Sequence, residues 1–361
     1  MATQSATWAY RDDHDDFART YFRRFGDCVV SSIGVGTYLG DPTDEQDERY
    51  REAIADALRS GINVVDTAIN YRHQRSERVV GDVVRTGPVD REAVLVATKG
   101  GFVPFDEDRP SDPGAYVRSE YLDTGIVDSD DLVRGHHCIA PAFIEDQLDR
   151  SLENLGVDTI DLYYVHNPET QLEANSRAAV YDQLEATFER LERRRAAGDI
   201  RHYGVATWGA FRVPADHDSY LSLPEIVRRA QSAADTVDNE TTGFRGVQLP
   251  FNVQMADAFT VEAHEGAEGT QSALWFAHEA ELSVFTSASI MQGELSTGLP
   301  DDIAARLDGD TSVQRSINFA RSPPGVTSAL VGMGSPEHVV ENVAAGRYEP
   351  LGASAFDAVF E

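Results

Sequence analysis

Short apolar runs alternate with longer segments of helical period along most of the chain, beginning near Ser31. Nearly continuous apolar runs are typical of parallel strands that are buried on both faces. The pattern occurs eight times, and the predicted strands are 32–36, 63–66, 93–98, 159–166, 202–206, 246–249, 282–286 and 326–331. Strands that alternate with helices in this way predict a parallel sheet.

The helices between these strands are predicted from their periodicity and their ends. Examples are 48–59, 143–155 and 181–197, each closely followed by a glycine. Glycine commonly ends a helix because it adopts the left-handed conformation without strain. Eight strand–helix units predict a closed (β/α)8 barrel of the TIM type. An open doubly wound sheet is the alternative, and it is less favoured because no Gly-x-Gly-x-x-Gly motif opens a helix.

Two long connections and the N-terminal segment fall outside the repeat. The connection 100–140 and the segment that begins at Trp208 both follow strands, so we expect them over the barrel face where active sites are built. Residues 1–21, with the acidic run 12–16, predict a mobile acidic N-terminal arm. The remaining residues, 22–361, are expected to form one barrel domain with long loops at the C-terminal face.

Charge and composition exclude several classes of function. The 361 residues include 61 acidic and 31 basic side chains, a formal charge of -30, so neither nucleic acid nor an anionic membrane surface is an expected partner. Charge spread over the whole length resembles the composition of proteins from high-salt cytoplasm, which predicts a halophilic protein. Two cysteines, no export signal and no long apolar run predict a cytoplasmic location. We expect a monomer or a weak oligomer.

Four ionisable residues fall at or just beyond the ends of three consecutive predicted strands: Asp66, Tyr71, Lys99 and His166. Lys99 is also the only lysine of the chain. Taken singly, each has an ordinary structural explanation, such as a capping aspartate, a loop aromatic, a solvated strand end or a turn histidine. Neighbouring strands lie about 4.8 Å apart, so these side chains are expected to meet at one side of the barrel mouth.

Reduction of a carbonyl group would explain why these four residue types occur together. Negative charge builds on the carbonyl oxygen, and the reaction needs a positioned proton donor there. A free tyrosine has a pKa of about 10, and the Lys99 ammonium is expected to lower the pKa of Tyr71. Asp66 would hold Lys99 charged and oriented, and His166 would donate a hydrogen bond to the same oxygen.

These residues lie within motifs that follow one another along the chain: Asp66-Thr67-Ala68-x-x-Tyr71, Ser76-Glu77-x-x-x-Gly81, Thr98-Lys99, Asp161-Leu162-Tyr163-x-x-His166 and Glu341-Asn342. The set resembles the aldo-keto reductase superfamily, and the resemblance covers about 22–345. It implies a (β/α)8 barrel that binds NADPH or NADH in an extended form. It also implies that Tyr71 is the acid–base residue and that Lys99, Asp66 and His166 have the roles given above.

The resemblance also implies a set of cofactor-binding residues: Gly36, Thr37, Tyr38, Asp66, Thr207, Gln248, Ser287, Gly332, Gly334, Ser335, His338, Glu341 and Asn342. Within this set, Gln248 matches the glutamine that contacts the nicotinamide carboxamide. The segment around Ser335 leads from a strand into a helix, and backbone amides at such a place bind phosphate.

Several of these positions depart from the family pattern. Ala206-Thr207 stands where the family usually has Ser-Asn, and Ser287 stands where a tyrosine usually stacks on the nicotinamide ring, with Trp208 or Phe285 as possible replacements. Members that prefer NADPH usually carry Lys and Arg at the positions of Gly332 and His338. We therefore expect NADP as the cofactor and leave NAD open.

The sequence thus predicts an NAD(P)-dependent oxidoreductase that acts on an aldehyde, a ketone or a sugar. One alternative is a catalytically weak barrel that binds dinucleotide and regulates a partner. A metal-dependent hydrolase is disfavoured, because only His166 and Asp66 are available as ligands at the strand ends. His136-His137-Cys138 is not expected to bind metal, since adjacent residues rarely point at one ion.

Overall fold

The computed structural model describes residues 1–267 and 269–360. Its strands are β1 (Phe22–Phe25), β2 (Cys28–Ser31), β3 (Ile33–Gly36), β4 (Val64–Asp66), β5 (Leu95–Gly100), β6 (Ile160–His166), β7 (Ile200–Ala206), β8 (Phe244–Pro250), β9 (Glu262–Gly266), β10 (Gly269–Ser272), β11 (Ser283–Ser287) and β12 (Val326–Gly332). Its α-helices are α1 (Gln4–Asp12), α2 (Asp44–Arg59), α3 (Arg75–Thr86), α4 (Pro113–Val117), α5 (Pro141–Leu155), α6 (Arg177–Ala197), α7 (Leu223–Thr236), α8 (Asp257–Thr260), α9 (Ala273–Glu279), α10 (Asp301–Ala304), α11 (Ser312–Ala320), α12 (Pro336–Ala344) and α13 (Ala353–Asp357).

Eight parallel strands, β3 to β8 with β11 and β12, close into a barrel. The ring is completed where β12 pairs with β3, with Leu330 opposite Gly34. All eight predicted strands are confirmed, with ends that differ by a residue or two, and the open doubly wound alternative is excluded. Strands β7 and β8 approach closely because both carry glycine at the contact. A Cβ on Gly204 would lie 1.8 Å from the carbonyl oxygen of Gly246.

The barrel interior is packed with apolar side chains rather than hollow. One buried cluster fills it from the strands and from the β1–β2 hairpin that precedes them: Phe25, Val30, Val64, Leu95, Ala97, Leu162, Tyr164, Ala206, Phe285 and Leu330. Phe25 and Val30 enter from the amino-terminal end of the strands and close that end. Open space for a ligand is therefore left at the carboxyl-terminal end, as is usual for this architecture.

Helices surround the barrel and cover the outer faces of its strands. The predicted helices 48–59, 143–155 and 181–197 are confirmed as α2, α5 and α6, each with a few additional residues at its N-terminus. Gly156 and Gly198 end α5 and α6 in the left-handed conformation, with φ of 60° and 93°. Among the helices of the described ranges, none combines the length and the apolar character that crossing a membrane requires.

The N-terminal segment is a docked helix and not the mobile acidic arm that its charge predicts. Thr3 caps α1 by accepting a hydrogen bond from the N–H of Ala6. The backbone N–H of Ala2 donates to Asp161 at 2.5 Å, and the Tyr10 hydroxyl donates to the carbonyl of Leu58 at 2.5 Å. The acidic run begins only where α1 ends, so its charge lies beyond the buried face. This helix was missed because its apolar stripe is only two turns long.

The long connection between β5 and α5 is closed at its base. The N–H of Cys138 donates to the carbonyl of Gly101 at 2.9 Å, and that of Val103 donates to His136 at 2.8 Å. Beyond this base the chain forms α4 and a following π turn, Arg118–Leu122. The base of the connection lies at the carboxyl end of β5, as expected from its position after a strand, whereas Tyr121 beyond it packs on Phe143 of α5.

Replacing Tyr10 tests how firmly α1 is docked. Tyr10→Ala removes a buried ring and its hydrogen bond, and should lower the free energy of unfolding by about 3 kcal/mol. Arg11→Ala changes the exposed side of the same helix and should alter it by less than about 0.5 kcal/mol. Denaturant unfolding measures both values. Equal stability of Tyr10→Ala and the unmodified protein would show that the segment is not held to the barrel.

Candidate active site

A cavity of about 880 Å³ opens at the end of the barrel where the carboxyl ends of the strands meet. Most of the residues predicted for catalysis and cofactor binding line it: Gly36, Thr37, Tyr38, Asp66, Tyr71, His166, Thr207, Gln248, Ser287, Gly332, Gly334, His338, Glu341 and Asn342. Two of the predicted residues do not. Lys99 lies beneath the floor with no exposed surface, and Ser335 is buried behind the wall, before α12.

Lys99 is buried in an ion pair rather than solvated at a strand end. Its Nζ donates to Asp66 Oδ1 at 2.5 Å and to the carbonyl of Thr67 at 2.8 Å, and its side chain is 0% exposed. Burial lowers the pKa of Lys99 and raises that of Asp66, while the charge of each residue opposes the shift of the other. The neighbouring strands β4 and β5 supply the two partners, so the pair is part of the barrel itself.

Asp66 is held from its other side by Gln248. The side-chain amide of Gln248 donates to Asp66 Oδ2 at 2.8 Å, so both carboxylate oxygens are engaged. The family resemblance implies that Gln248 contacts the cofactor carboxamide. In this structure Gln248 lines the cavity, but its side-chain NH₂ group donates to Asp66. The sequence did not indicate this hydrogen bond.

Tyr71 lies above this ion pair at the mouth of the barrel. The Lys99 Nζ is 5.0 Å from the centre of the Tyr71 ring, and the His166 and Tyr71 ring centres are 6.0 Å apart. Local hydrogen bonds explain the placement. The N–H of Ile69 donates to the carbonyl of Lys99 at 3.2 Å, and that of Tyr71 donates to Ala68 at 3.0 Å, which turns the chain back over β5.

The pKa of Tyr71 shifts in the direction opposite to the one expected from the sequence. Burial raises this pKa well above its ordinary value of 10, and the nearby Asp66 carboxylate and Tyr38 raise it further. Lys99 does not reverse the shift, because Asp66 compensates its charge at 2.5 Å. Tyr71 is therefore a neutral phenol here, and its hydroxyl is a hydrogen-bond donor.

His166 is neutral for related reasons. Burial, the Lys99 ammonium and His137 together lower the pKa of His166 well below its ordinary value of 6.5. Its Nδ1 is buried and has no hydrogen-bond partner among the residues that the structure describes. The ring edge contacts Phe102, with ring centres 5.0 Å apart.

His137, from the long connection, holds the backbone of His166 in place. The amide of Gln171 donates to His137 Nδ1 at 2.9 Å, so the proton of His137 is on Nε2, which donates to the carbonyl of His166 at 2.9 Å. The run His136-His137-Cys138 thus contributes a structural clamp. Within 1–267 and 269–360, no group of three or more His, Cys, Asp or Glu side chains could hold a metal ion.

One part of the cavity wall contains a hydroxyl group without a partner and exposed aromatic rings, which a nicotinamide group could contact. The Thr207 hydroxyl is buried without a hydrogen-bond partner in the described part of the chain, and a carboxamide could supply one. Tyr38 and Trp208 are 56% and 50% exposed at the rim, which is high for aromatic side chains. Phe285, by contrast, packs inside the barrel and is not available to stack on a ligand.

Arg49 is a lining residue that sequence reasoning missed. It lies on α2 and is the only Arg or Lys among the described residues that line this cavity, which it shares with His338 and Glu341. The helix α2 contains many charged residues and no cofactor-binding motif. Nothing in its sequence therefore distinguishes Arg49 from the neighbouring Arg51. Only the three-dimensional arrangement brings Arg49 to the cavity.

Comparison with known proteins gives a consistent result. A model of the aldo/keto reductase family matches residues 32–215. An NADH-specific methylglyoxal reductase from Escherichia coli (strain K12) is 26% identical over 335 residues, covering 88% of this chain and 90% of the relative. An aldo/keto reductase from Klebsiella pneumoniae, solved in complex with NADP and acetate, aligns with a TM-score of 0.60 at 21% identity over 94% of each chain. A glycerol dehydrogenase from Gluconobacter oxydans aligns with a TM-score of 0.64 at 19% identity over 95% of each chain.

Breaking the buried ion pair provides a test that does not depend on activity. Lys99→Met leaves the Asp66 carboxylate buried without its partner and should lower the free energy of unfolding by about 3 to 5 kcal/mol. In the double variant Lys99→Met/Asp66→Asn, no charge is left unpaired, so most of this loss should be recovered. Denaturant unfolding of both variants measures the difference. A double variant that is no more stable than Lys99→Met would contradict a coupled pair.

Proposed function

The chain belongs to the aldo/keto reductase family, and on that premise we propose that it transfers hydride between a nicotinamide dinucleotide and the carbonyl group of an aldehyde, ketone or sugar. The observation that carries this proposal is the buried Lys99–Asp66 pair beneath the Tyr71 ring, with His166 beside it at the mouth of the barrel. The bound dinucleotide would supply or accept the hydride, and the residues of this chain would handle the proton and the carbonyl oxygen.

Tyr71 is the proposed proton donor. A neutral phenol can donate a hydrogen bond to the carbonyl oxygen before reaction, and burial keeps Tyr71 in this form. The alkoxide that develops during reduction is a much stronger base than a phenolate, so proton transfer from Tyr71 is favourable even with its raised pKa. Lys99 then stabilises the tyrosinate that remains, because its ammonium lies just beneath the ring.

His166 is the proposed second donor to the carbonyl oxygen. A neutral imidazole carries one ring N–H, and the shift of its pKa keeps His166 neutral near pH 7. Its role is to orient the carbonyl toward Tyr71 and to stabilise the negative charge that develops. The clamp from His137 fixes the end of strand β6 and thus the position of the ring.

We propose NADP as the cofactor, with NAD as the second possibility. Thr207 and Gln248 would contact the carboxamide, Ser287 and Trp208 would flank the nicotinamide, and the glycines around Gly332 would admit the phosphates. Arg49 would supply positive charge for a 2′-phosphate and His338 a hydrogen bond, because this chain has no Lys or Arg at positions 332 and 338. The NADP complex of the Klebsiella pneumoniae reductase supports the first choice, and the NADH-specific reductase of Escherichia coli supports the second.

The alternative of a regulatory barrel is not favoured. Tyr71, Asp66 and His166 line one cavity, and Lys99 lies directly beneath its floor, paired with Asp66. The cytoplasmic location, the halophilic character, the oligomeric state and the absence of nucleic-acid or membrane partners stay predictions from the sequence.

Replacing the proposed acid tests the function directly. Tyr71→Phe removes the proton donor while keeping the ring, so turnover of aldehydes should fall by about 10²- to 10⁴-fold. The affinity for NADPH, measured by quenching of protein fluorescence, should stay within about twofold, since only the hydroxyl is lost. Tyr348→Phe, on a partly exposed tyrosine outside the cavity, is the control. Undiminished activity of Tyr71→Phe would refute the assignment.

Replacing Arg49 tests the cofactor preference. Arg49→Met should raise the Kd for NADPH by about tenfold, which corresponds to about 1.4 kcal/mol, and should change the Kd for NADH far less. Arg51→Met is a matched control, because Arg51 lies on the same helix but pairs with Glu48 and Asp82 outside the cavity. An equal effect of Arg49→Met on both dinucleotides would rule out a contact with the 2′-phosphate.

A further inference from the structure

The chain directly after Tyr71 has an unusual left-handed backbone conformation. Arg72, His73 and Gln74 have φ of 49°, 56° and 69°, and the sequence has no glycine at these positions. Residues that carry a Cβ avoid this conformation, because the Cβ lies too close to the following carbonyl oxygen. Three such residues in succession persist only where the surrounding contacts hold them. We call residues 72–74 the left-handed turn.

One side of the left-handed turn is joined to the long connection and to α5. The side-chain amide of Gln74, a residue that is 3% exposed, donates to the carbonyl of Phe105 at 3.0 Å and accepts from Asn154 at 3.0 Å. The N–H of Glu107 donates to the carbonyl of His73 at 3.2 Å. These contacts fix the end of the turn that leads into α3.

Arg72 joins the other side of the turn to the loop between β3 and α2. Its side chain is 1% exposed. Nε donates to the carbonyl of Asp41 at 3.1 Å, and Nη2 donates to the carbonyl of Thr43 at 3.4 Å and to the carboxylate of Asp47. The guanidinium carbon lies 5.2 Å from the centre of the Tyr50 ring, which is a cation–π contact. Because the charge is buried, its partners have to come from the protein, and this loop and α2 supply them.

The loop that Arg72 binds, residues 37–43, also forms part of the wall of the large cavity. Its Tyr38 ring lies edge-on to the Tyr71 ring, with ring centres 5.0 Å apart. A movement of this loop would therefore displace a ring that packs on the proposed proton donor. Arg72 thus connects the backbone that carries Tyr71 with the cavity wall that faces Tyr71.

The shape of the turn does not by itself explain an arginine at position 72. Glycine would adopt the same backbone conformation without steric strain. The side chain therefore contributes something that glycine lacks. In this structure its contribution is the set of bonds to Asp41, Thr43 and Asp47, which no shorter side chain could form together.

We propose that Arg72 is a positioning residue that fixes the Tyr71 hydroxyl and the loop 37–43 relative to each other. This inference rests on the proposed function and adds to it a residue that is absent from the described lining of the cavity. Arg72 takes no part in the proton transfer itself. Its loss would let the turn and the loop move apart, so Tyr71 would less often lie in the geometry that proton transfer requires.

Replacing Arg72 with glycine separates this role from the shape of the backbone. Arg72→Gly keeps the left-handed turn without strain but removes the guanidinium. We expect kcat for the reduction of butanal with NADPH to fall by about 10- to 100-fold with little change in KM, because a displaced acid affects the transition state more than binding. Arg72→Met, which keeps an aliphatic side chain but no donor, should show the same fall. Unchanged kcat in these variants would overturn the inference.

Arg75→Met is the matched control. Arg75 begins α3 in helical conformation, and its Nε donates to the same carboxylate of Asp47 at 2.9 Å, while its Nη2 pairs with Asp44. This variant removes a guanidinium from Asp47 but leaves the bonds of Arg72 to the loop in place, so kcat should stay unchanged. A fall in Arg75→Met as large as that in Arg72→Gly would show that the effect is not specific to position 72, and the inference would fail.

Hydrogen exchange separates this inference from the proposed function, because it does not depend on turnover. Arg72→Gly should speed the exchange of backbone N–H groups in 38–43 by about tenfold, since the loop opens more readily without its side-chain donor, and Arg75→Met should not. If the loop responds in this way but the unmodified protein reduces no aldehyde, the proposed function fails and the link between turn and loop stands. If the unmodified protein is active and Arg72→Gly equals it in kcat and in exchange, the function stands and the inference is overturned.

Discussion

The ion pair between Lys99 and Asp66 is the interaction on which the site depends. A fully buried ammonium is stable only when a close partner and good hydrogen-bond geometry offset the loss of water, and the adjacent strands β4 and β5 provide both. Gln248 engages the remaining oxygen of Asp66 from across the barrel. The pair is thus fixed by the closure of the barrel, and it in turn defines the floor over which Tyr71 lies.

The pair acts on Tyr71 as a dipole more than as a single positive charge. Because Asp66 compensates Lys99, the ammonium does not make the phenol a strong acid before reaction, and burial keeps the phenol neutral. His166 is held neutral in the same surroundings. The mouth of the barrel therefore presents two uncharged donors, which the proposed reaction would direct at the carbonyl oxygen. In that reaction, charge would appear on Tyr71 only as the proton is transferred, where a preorganised site has its largest effect.

Much of the fold could be predicted from the sequence, because strands buried on both faces leave continuous apolar runs. The helix α1 and the short hairpin β1–β2 could not, since their buried faces are too brief to show a period. The four candidate catalytic residues were recognisable from their places at strand ends. Arg49 was not, because only the folding of α2 against the barrel brings it to the cavity wall. The pKa of Tyr71 was misjudged since sequence shows which groups are neighbours but not how deeply they are buried.

The closed base of the long connection after β5 holds together the two ends of a loop that is otherwise anchored to the outer helices. Backbone hydrogen bonds between Gly101 and Cys138 and between Val103 and His136 join the two ends of the loop where it leaves the barrel. The side chain of His137 then links this base to the end of β6 through the carbonyl of His166. Beyond this point, residues 104–134 pack back on the outer helices: Tyr121 lies edge-on to Phe143 of α5, and the amide of Gln74 donates to the carbonyl of Phe105 at 3.0 Å. A graft of another loop at this place would therefore have to preserve the packing of Tyr121, while the hydrogen bonds at the base would keep the end of β6 in position.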